Sequence, residues 1–163
     1  MYAALRQLMP RSAADPIDGA ALLALVPDLK ALAQTPQDPI HHAEGDVWTH
    51  TLMVLDALKS LPAYAAADED TRFVLFAGAL FHDIAKPSCT REENGRITSA
   101  GHSRRGAIDA RVLLWRGGAP FALRERVCRI VATHQVPFFM LGRDRRGRRP
   151  EFVLHQLAEE GRF

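Results

Sequence analysis

The segment FVLFAGALFHDIA, residues 73–85, is apolar around almost its whole circumference when wound into a helix. A helix without a polar face has to be enclosed by other elements. The fold must therefore be built around this rod, whose last turn carries His82 and Asp83 inward. A buried imidazole and carboxylate are costly unless they are paired or bound to a metal. The pair demands partners from elsewhere in the chain.

The rest of the chain reads as helices too. In residues 17–34, Leu22, Leu23, Val26, Leu29 and Leu32 recur on a helical period before the turn-rich TPQDP. Residues 46–61 follow, with Asp46 as N-cap and Pro62 as stop. The segment 68–85 has an acidic first turn suited to the helix dipole, with Pro87 closing it. Residues 103–116 end at Gly117-Gly118, residues 120–134 start with Pro120 in the first turn, and 150–160 reads as a short final helix. Between them, the loop 86–102 contains Asn94-Gly95, the signal of a tight turn and a small hairpin. No repeat appears, and the expected fold is all-α.

A length of 163 residues suits one domain. No apolar run approaches the roughly 18 residues of a membrane span, and the N-terminus MYAALRQLMPRSAADP has no secretory h-region. A cytoplasmic protein with no membrane partner is expected. Cys89 and Cys128 lack CxxC spacing, which argues against a zinc ribbon or disulfide framework, and both read as small apolar residues. The formal net charge is only +2, yet GRDRRGRRP at 142–150 holds five arginines in nine residues. That run reads as a solvated loop, as a phosphate-binding arm for nucleic acid, or as both.

Four of the seven histidines fall at helix ends or on apolar faces. His50 shares a stripe with Val47, Val54 and Leu58, and His134 one with Val127, Ile130 and Val131, while His102 starts a helix. Each alone would pass for a hydrogen-bonded core histidine. Together, imidazoles from several helices around one carboxylate suit a first-row divalent metal with positions open to water. Adjacent helical residues are turned about 100° apart, so His82 and Asp83 can flank one point only at a helix end.

The stretches VWTH with His50, FHDIAKP with His82 and Asp83, GHSRRGA with His102, and IVATHQ with His134 resemble the HD superfamily of metal-dependent phosphohydrolases. More narrowly, HHAEGDVWTHTLMVLDAL and ALFHDIAKPSCTREENGRITSAGHSRRGA are similar to the HD domain of bacterial CCA-adding tRNA nucleotidyltransferases and of RNA end-repair phosphoesterases. The resemblance covers about 40–135 and implies an all-α HD-domain bundle with its metal site between helices. It implies that His50, His82 and Asp83 hold one ion, and that Asp83 bridges to a second held by His102 and His134. Two ions of manganese, nickel, cobalt or iron are implied as cofactors. A final aspartate on a later helix is also implied, and here the chain departs: after His134 it offers only Asp144, then Glu151, His155, Glu159 and Glu160. Truncation of a longer chain before that aspartate is the expected reason, with residues 1–163 as one HD domain at its N-terminal end; the alternative is a three-ligand site with an extra water.

The implied reaction is in-line attack of a metal-activated water on phosphorus. Lys86, Arg104 and Arg105 are the candidate cations for the phosphate oxygens, against bland readings as a helix-terminal lysine and exposed helical arginines. Glu44 and Asp46 could order water or orient a ligand, though Asp46 could be only a cap; His41, His42 and His155 receive no role. The implied substrate is an RNA or nucleotide end bearing a 2′,3′-cyclic phosphate or a 2′- or 3′-phosphate, as in RNA repair or tRNA processing. Hydrolysis of nucleoside triphosphates and a non-catalytic regulatory module stand as alternatives. The sequence carries no signal for oligomeric state.

Overall fold

The computed structural model describes residues 1–40, 43–93 and 95–137. Among these the chain forms α1 (Tyr2–Leu8), α2 (Gly19–Leu25), a 3₁₀ segment (Pro27–Gln34), α3 (Val47–Lys59), α4 (Pro62–Ala66), α5 (Glu69–Phe81) and α6 (Lys86–Cys89). A hairpin of β1 (Arg91–Glu93) and β2 (Arg96–Thr98) follows, then α7 (His102–Arg116) and α8 (Phe121–Thr133). The all-α expectation holds, and the hairpin lies where Asn94-Gly95 placed it: Glu93 pairs with Arg96 across a turn in which Gly95 takes φ +71°. No helix among the described residues is long and apolar enough to cross a membrane.

The apolar rod is α5. Asp68 caps it by accepting from Thr71 N at 2.7 Å, and Phe73, Phe76, Ala77, Leu80 and Phe81 are all fully buried. Helices α3 and α8 pack on α5, and α8 packs in turn on α7. Leu5 and Met9 from the N-terminus, Leu22 of α2, and Leu29 and Leu32 of the 3₁₀ segment join the same core. Each such side chain contributes about 1.5–3 kcal/mol when withdrawn from water. Cys128 lies in this core, where burial pushes its thiol up, and Cys89 is half-buried.

Several boundaries differ from those expected. The 17–34 helix breaks at Val26, because Pro27 cannot donate to the preceding turn and starts a new segment. Pro62 does not merely stop α3: it opens α4, which brings the Tyr64 hydroxyl to donate to Pro10 O at 2.8 Å. Pro120 occupies the N-cap of α8. The 68–85 helix ends at Phe81, and residues 82–85 form a tight turn before α6. Helix α1 is an addition to the expected elements, for its seven residues are too few to carry a strong period. The run 142–150, the helix expected at 150–160, His41, His42, Asp144, Glu151, His155, Glu159 and Glu160 lie outside the described residues.

Gly78 sets the approach of α8 to α5. A Cβ there would lie 2.8 Å from Ile130 Cγ2 and 3.1 Å from Ile130 Cβ, next to a stiff branched side chain. Gly78→Val is expected to destabilise the protein by about 1–3 kcal/mol through overpacking, read as a lower Tm. Ile130→Ala in the same background should restore part of the loss; equal Tm for wild type and Gly78→Val would contradict this packing.

Candidate metal centre

The site forms where α5 gives way to the 82–85 turn. Ile84 N donates to Phe81 O at 3.1 Å and Lys86 N to Asp83 O at 2.9 Å, so the backbone tightens just past the helix. His82 and Asp83, which a continuing helix would splay apart, instead both reach the interior, where Asp83 is 2% exposed. His50 comes from the first turn of α3, His102 from the start of α7 after Gly101 at φ +82°, and His134 from the C-terminal end of α8.

The four rings lie in successive contact. Ring centroids are 5.3 Å apart for His50 and His82, 5.2 Å for His82 and His134, and 5.1 Å for His134 and His102. Asp83 sits beside them: Oδ1 lies 3.0 Å from His102 Nε2 and 3.6 Å from His134 Nε2, while Oδ2 lies 3.1 Å from His82 Nε2 and 2.8 Å from Lys86 Nζ. Two overlapping triads result, His50–His82–Asp83 and Asp83–His102–His134, with the ligand atoms of each within 4.8 Å of one another. The His50 stripe is displaced from the one expected: Val47, Thr51 and Leu55 are buried, while Val54, Leu58 and His50 lie at its margin.

Hydrogen bonds from the far side of each ring decide what the rings present to Asp83. Nδ1 of His82 donates to Ala79 O at 2.7 Å, Nδ1 of His102 to Ser99 O at 2.7 Å, and Nδ1 of His134 to Val131 O at 2.8 Å, since a carbonyl can only accept. Nδ1 of His50 is 2.6 Å from Glu44 Oε1. The proton of each neutral ring is thus placed outward, leaving the Nε2 lone pairs facing inward. His102 Nε2 and His134 Nε2 are only 3.2 Å apart, and Asp83 Oδ1 is buried without a hydrogen-bond partner. Acceptors crowded around a buried carboxylate repel unless positive charge lies among them, either as extra ring protons or as a metal ion. Burial alone pushes Asp83 up, but the imidazoles of His102, His134 and His82, within hydrogen-bonding reach of its oxygens, outweigh this and hold it well below the usual carboxylate range. The donor set, imidazole nitrogens around one shared carboxylate, fits a first-row divalent ion.

Other candidates separate clearly. Lys86 is buried against Asp83 rather than ending a helix, and Nζ also donates to Gln37 Oε1 at 2.6 Å. Asp46 is the α3 cap, accepting from Thr49 N at 2.9 Å, whereas Glu44 orients His50. Arg105 turns to Asp109 on its own helix at 3.0 Å and Arg104 is exposed; among the described residues neither is paired with the candidate ligands. Sequence reasoning misses Gln37 altogether, for it stands 49 residues from Lys86 in a loop with no motif.

Comparison with known proteins points to the same part of the chain. A family model described as the HD domain matches residues 47–159. The multifunctional CCA protein of Halorhodospira halophila is 38% identical over 114 residues, which is 70% of this chain and 25% of the relative. The multifunctional CCA protein of Methylococcus capsulatus is 37% identical over 117 residues, 72% of this chain and 25% of the relative. The chain thus spans about a quarter of the length of these curated relatives. No solved structure matches it significantly.

Proposed function

The chain belongs to the HD domain family, a superfamily of metal-dependent phosphohydrolases, and from that premise we propose that it hydrolyses 2′,3′-cyclic phosphate or 2′- or 3′-phosphate ends of RNA or nucleotides. The observation that carries the proposal is the sharing of Asp83 by two histidine triads. His50, His82 and Asp83 would hold one divalent ion, and Asp83, His102 and His134 a second, drawn from manganese, nickel, cobalt or iron. Bound there, such ions supply charge for phosphate oxygens and acidify a water that attacks phosphorus. Lys86 places Nζ 2.8 Å from Asp83 Oδ2, where it would meet the same oxygens. Arg104 and Arg105, clear of the ligand set, would meet only outlying phosphates of a longer substrate. The relatives' name, multifunctional CCA protein, and the resemblance to CCA-adding enzymes support an RNA or nucleotide end as substrate. In this reading residues 1–163 act as one HD domain.

The test is release of phosphomonoester or phosphate from a 2′,3′-cyclic nucleotide, and from an oligonucleotide with a cyclic end, with Mn²⁺, Ni²⁺ or Co²⁺ and with chelator. Metal-dependent product supports the proposal. No product with any of these ions, or preferred turnover of nucleoside triphosphates, overturns it.

Glu44 offers a separate check. Loss of a carboxylate that orients a ligating histidine weakens metal affinity by about 10–100-fold. Glu44→Ala is therefore expected to bind Mn²⁺ that much less tightly in a direct titration. Unchanged affinity would mean that the contact with His50 serves only the fold.

A further inference from the structure

Gln37 stands in the loop between the 3₁₀ segment and α3, and that loop is pinched at its base. Pro36 and Asp46 form an isolated antiparallel bridge, and Val47 N donates to Thr35 O at 3.2 Å. The Gln37 side chain is buried, 7% exposed. Its amide has one consistent orientation: Lys86 can only donate, so the atom 2.6 Å from Nζ is Oε1, and Nε2 is then directed to Asp46 O at 3.4 Å. Glu44, in the same loop, holds His50. One loop thus touches the ligand set at two places, through Glu44 on a ligand and through Gln37 on Lys86.

A lysine ammonium has three N–H donors on a flexible stem of four carbons. In Lys86 one points to Asp83 Oδ2 at 2.8 Å and one to Gln37 Oε1. Without the second acceptor Nζ could rotate about its contact with Asp83, and its remaining donors would have no defined direction.

We propose that Gln37 is a positioning residue: by holding Lys86 Nζ in a fork with Asp83, it aims the third ammonium N–H at a phosphoryl oxygen of the substrate. The proposal rests on the phosphoesterase reading above, but the holding of Lys86 can be read without turnover. In wild-type protein loaded with diamagnetic Zn²⁺, the Lys86 ammonium should give a slowly exchanging ¹H–¹⁵N signal, assigned by its loss in Lys86→Met. Gln37→Leu should broaden it away, and Gln37→Glu, which keeps an acceptor oxygen, should retain it. With a 2′,3′-cyclic nucleotide and saturating Mn²⁺, Gln37→Leu should lower kcat about 10- to 100-fold, with KM and Mn²⁺ affinity within threefold of wild type. Gln37→Glu should recover most of that loss. In a Lys86→Met background Gln37→Leu should cost nothing further, because its effect passes through Lys86.

Additive losses in the double variant, Mn²⁺ affinity falling in step with kcat, or a persistent Lys86 signal in Gln37→Leu would each overturn the proposal. If Gln37→Leu fails to fold, Gln37→Glu and Gln37→Met decide: impairment of Gln37→Glu equal to that of Gln37→Met overturns it. Absence of wild-type turnover with an intact, Gln37-dependent Lys86 signal would defeat the phosphoesterase reading and the aiming role, leaving only the fork established.

Discussion

Asp83→Ala is expected to strip the protein of divalent metal: purified wild type should retain manganese, iron, nickel or cobalt, and the variant less than about a tenth as much by elemental analysis. Asp83 is the one residue common to both triads among the described residues. Its removal takes away the negative charge that two ions would share and leaves neutral imidazoles facing two dications. It also leaves Lys86 buried with Gln37 as its acceptor, and breaking a buried pair from one side typically costs about 3–5 kcal/mol. A folding loss could therefore imitate a metal loss. Asp83→Asn resolves this, because it keeps the volume and an acceptor for Lys86 while removing the charge. Both variants retaining as much metal as wild type would sink the assignment of Asp83.

His102→Ala and His134→Ala are each expected to reduce metal-dependent hydrolysis of a 2′,3′-cyclic phosphate by at least about 100-fold. Their Nε2 atoms lie 3.2 Å apart and converge on Asp83 Oδ1, the oxygen that has no hydrogen-bond partner. Losing either ring leaves two protein donors for an ion on that side. His102 is 2% exposed and its Nδ1 bonds the backbone at Ser99, so His102→Ala opens a cavity beside the hairpin. His134 is more exposed, with 15% of its side chain accessible, and provides the cleaner comparison. The measurement is kcat for wild type and both variants at saturating Mn²⁺, with melting curves as a check of folding. Turnover close to wild type in both variants would remove these histidines from the site.

The five residues of the candidate metal centre are legible in the amino-acid sequence because each sits in a short local signal. His82 and Asp83 end the most apolar helix, and His50, His102 and His134 fall at helix starts, ends or apolar margins. The hairpin is legible from Asn94-Gly95 for the same kind of reason: a tight turn is chosen by the residues within it. The break at Pro27 has a local cue as well, but the leucine period running across it suggests one continuous helix, and the ring of Pro27 prevails. Glu44 and Asp46 could each order water or orient a ligand, and Asp46 could instead be only a cap. Three-dimensional placement separates them, with Asp46 on Thr49 and Glu44 on His50.

By itself the sequence determined the all-α class, the central place of α5, and the five residues that converge, because periodicity, capping and turn chemistry act over a few residues. Only the tertiary structure decided how those five meet. The tightening of residues 82–85 turns His82 and Asp83 to one point, backbone carbonyls at Ala79, Ser99 and Val131 take the outer ring protons, and Gln37 reaches Lys86 across 49 residues. These are choices among hydrogen-bond partners distant in the chain or set by local backbone angles. No period or spacing records them, because a buried ammonium or ring nitrogen is satisfied by any acceptor that packing brings within reach.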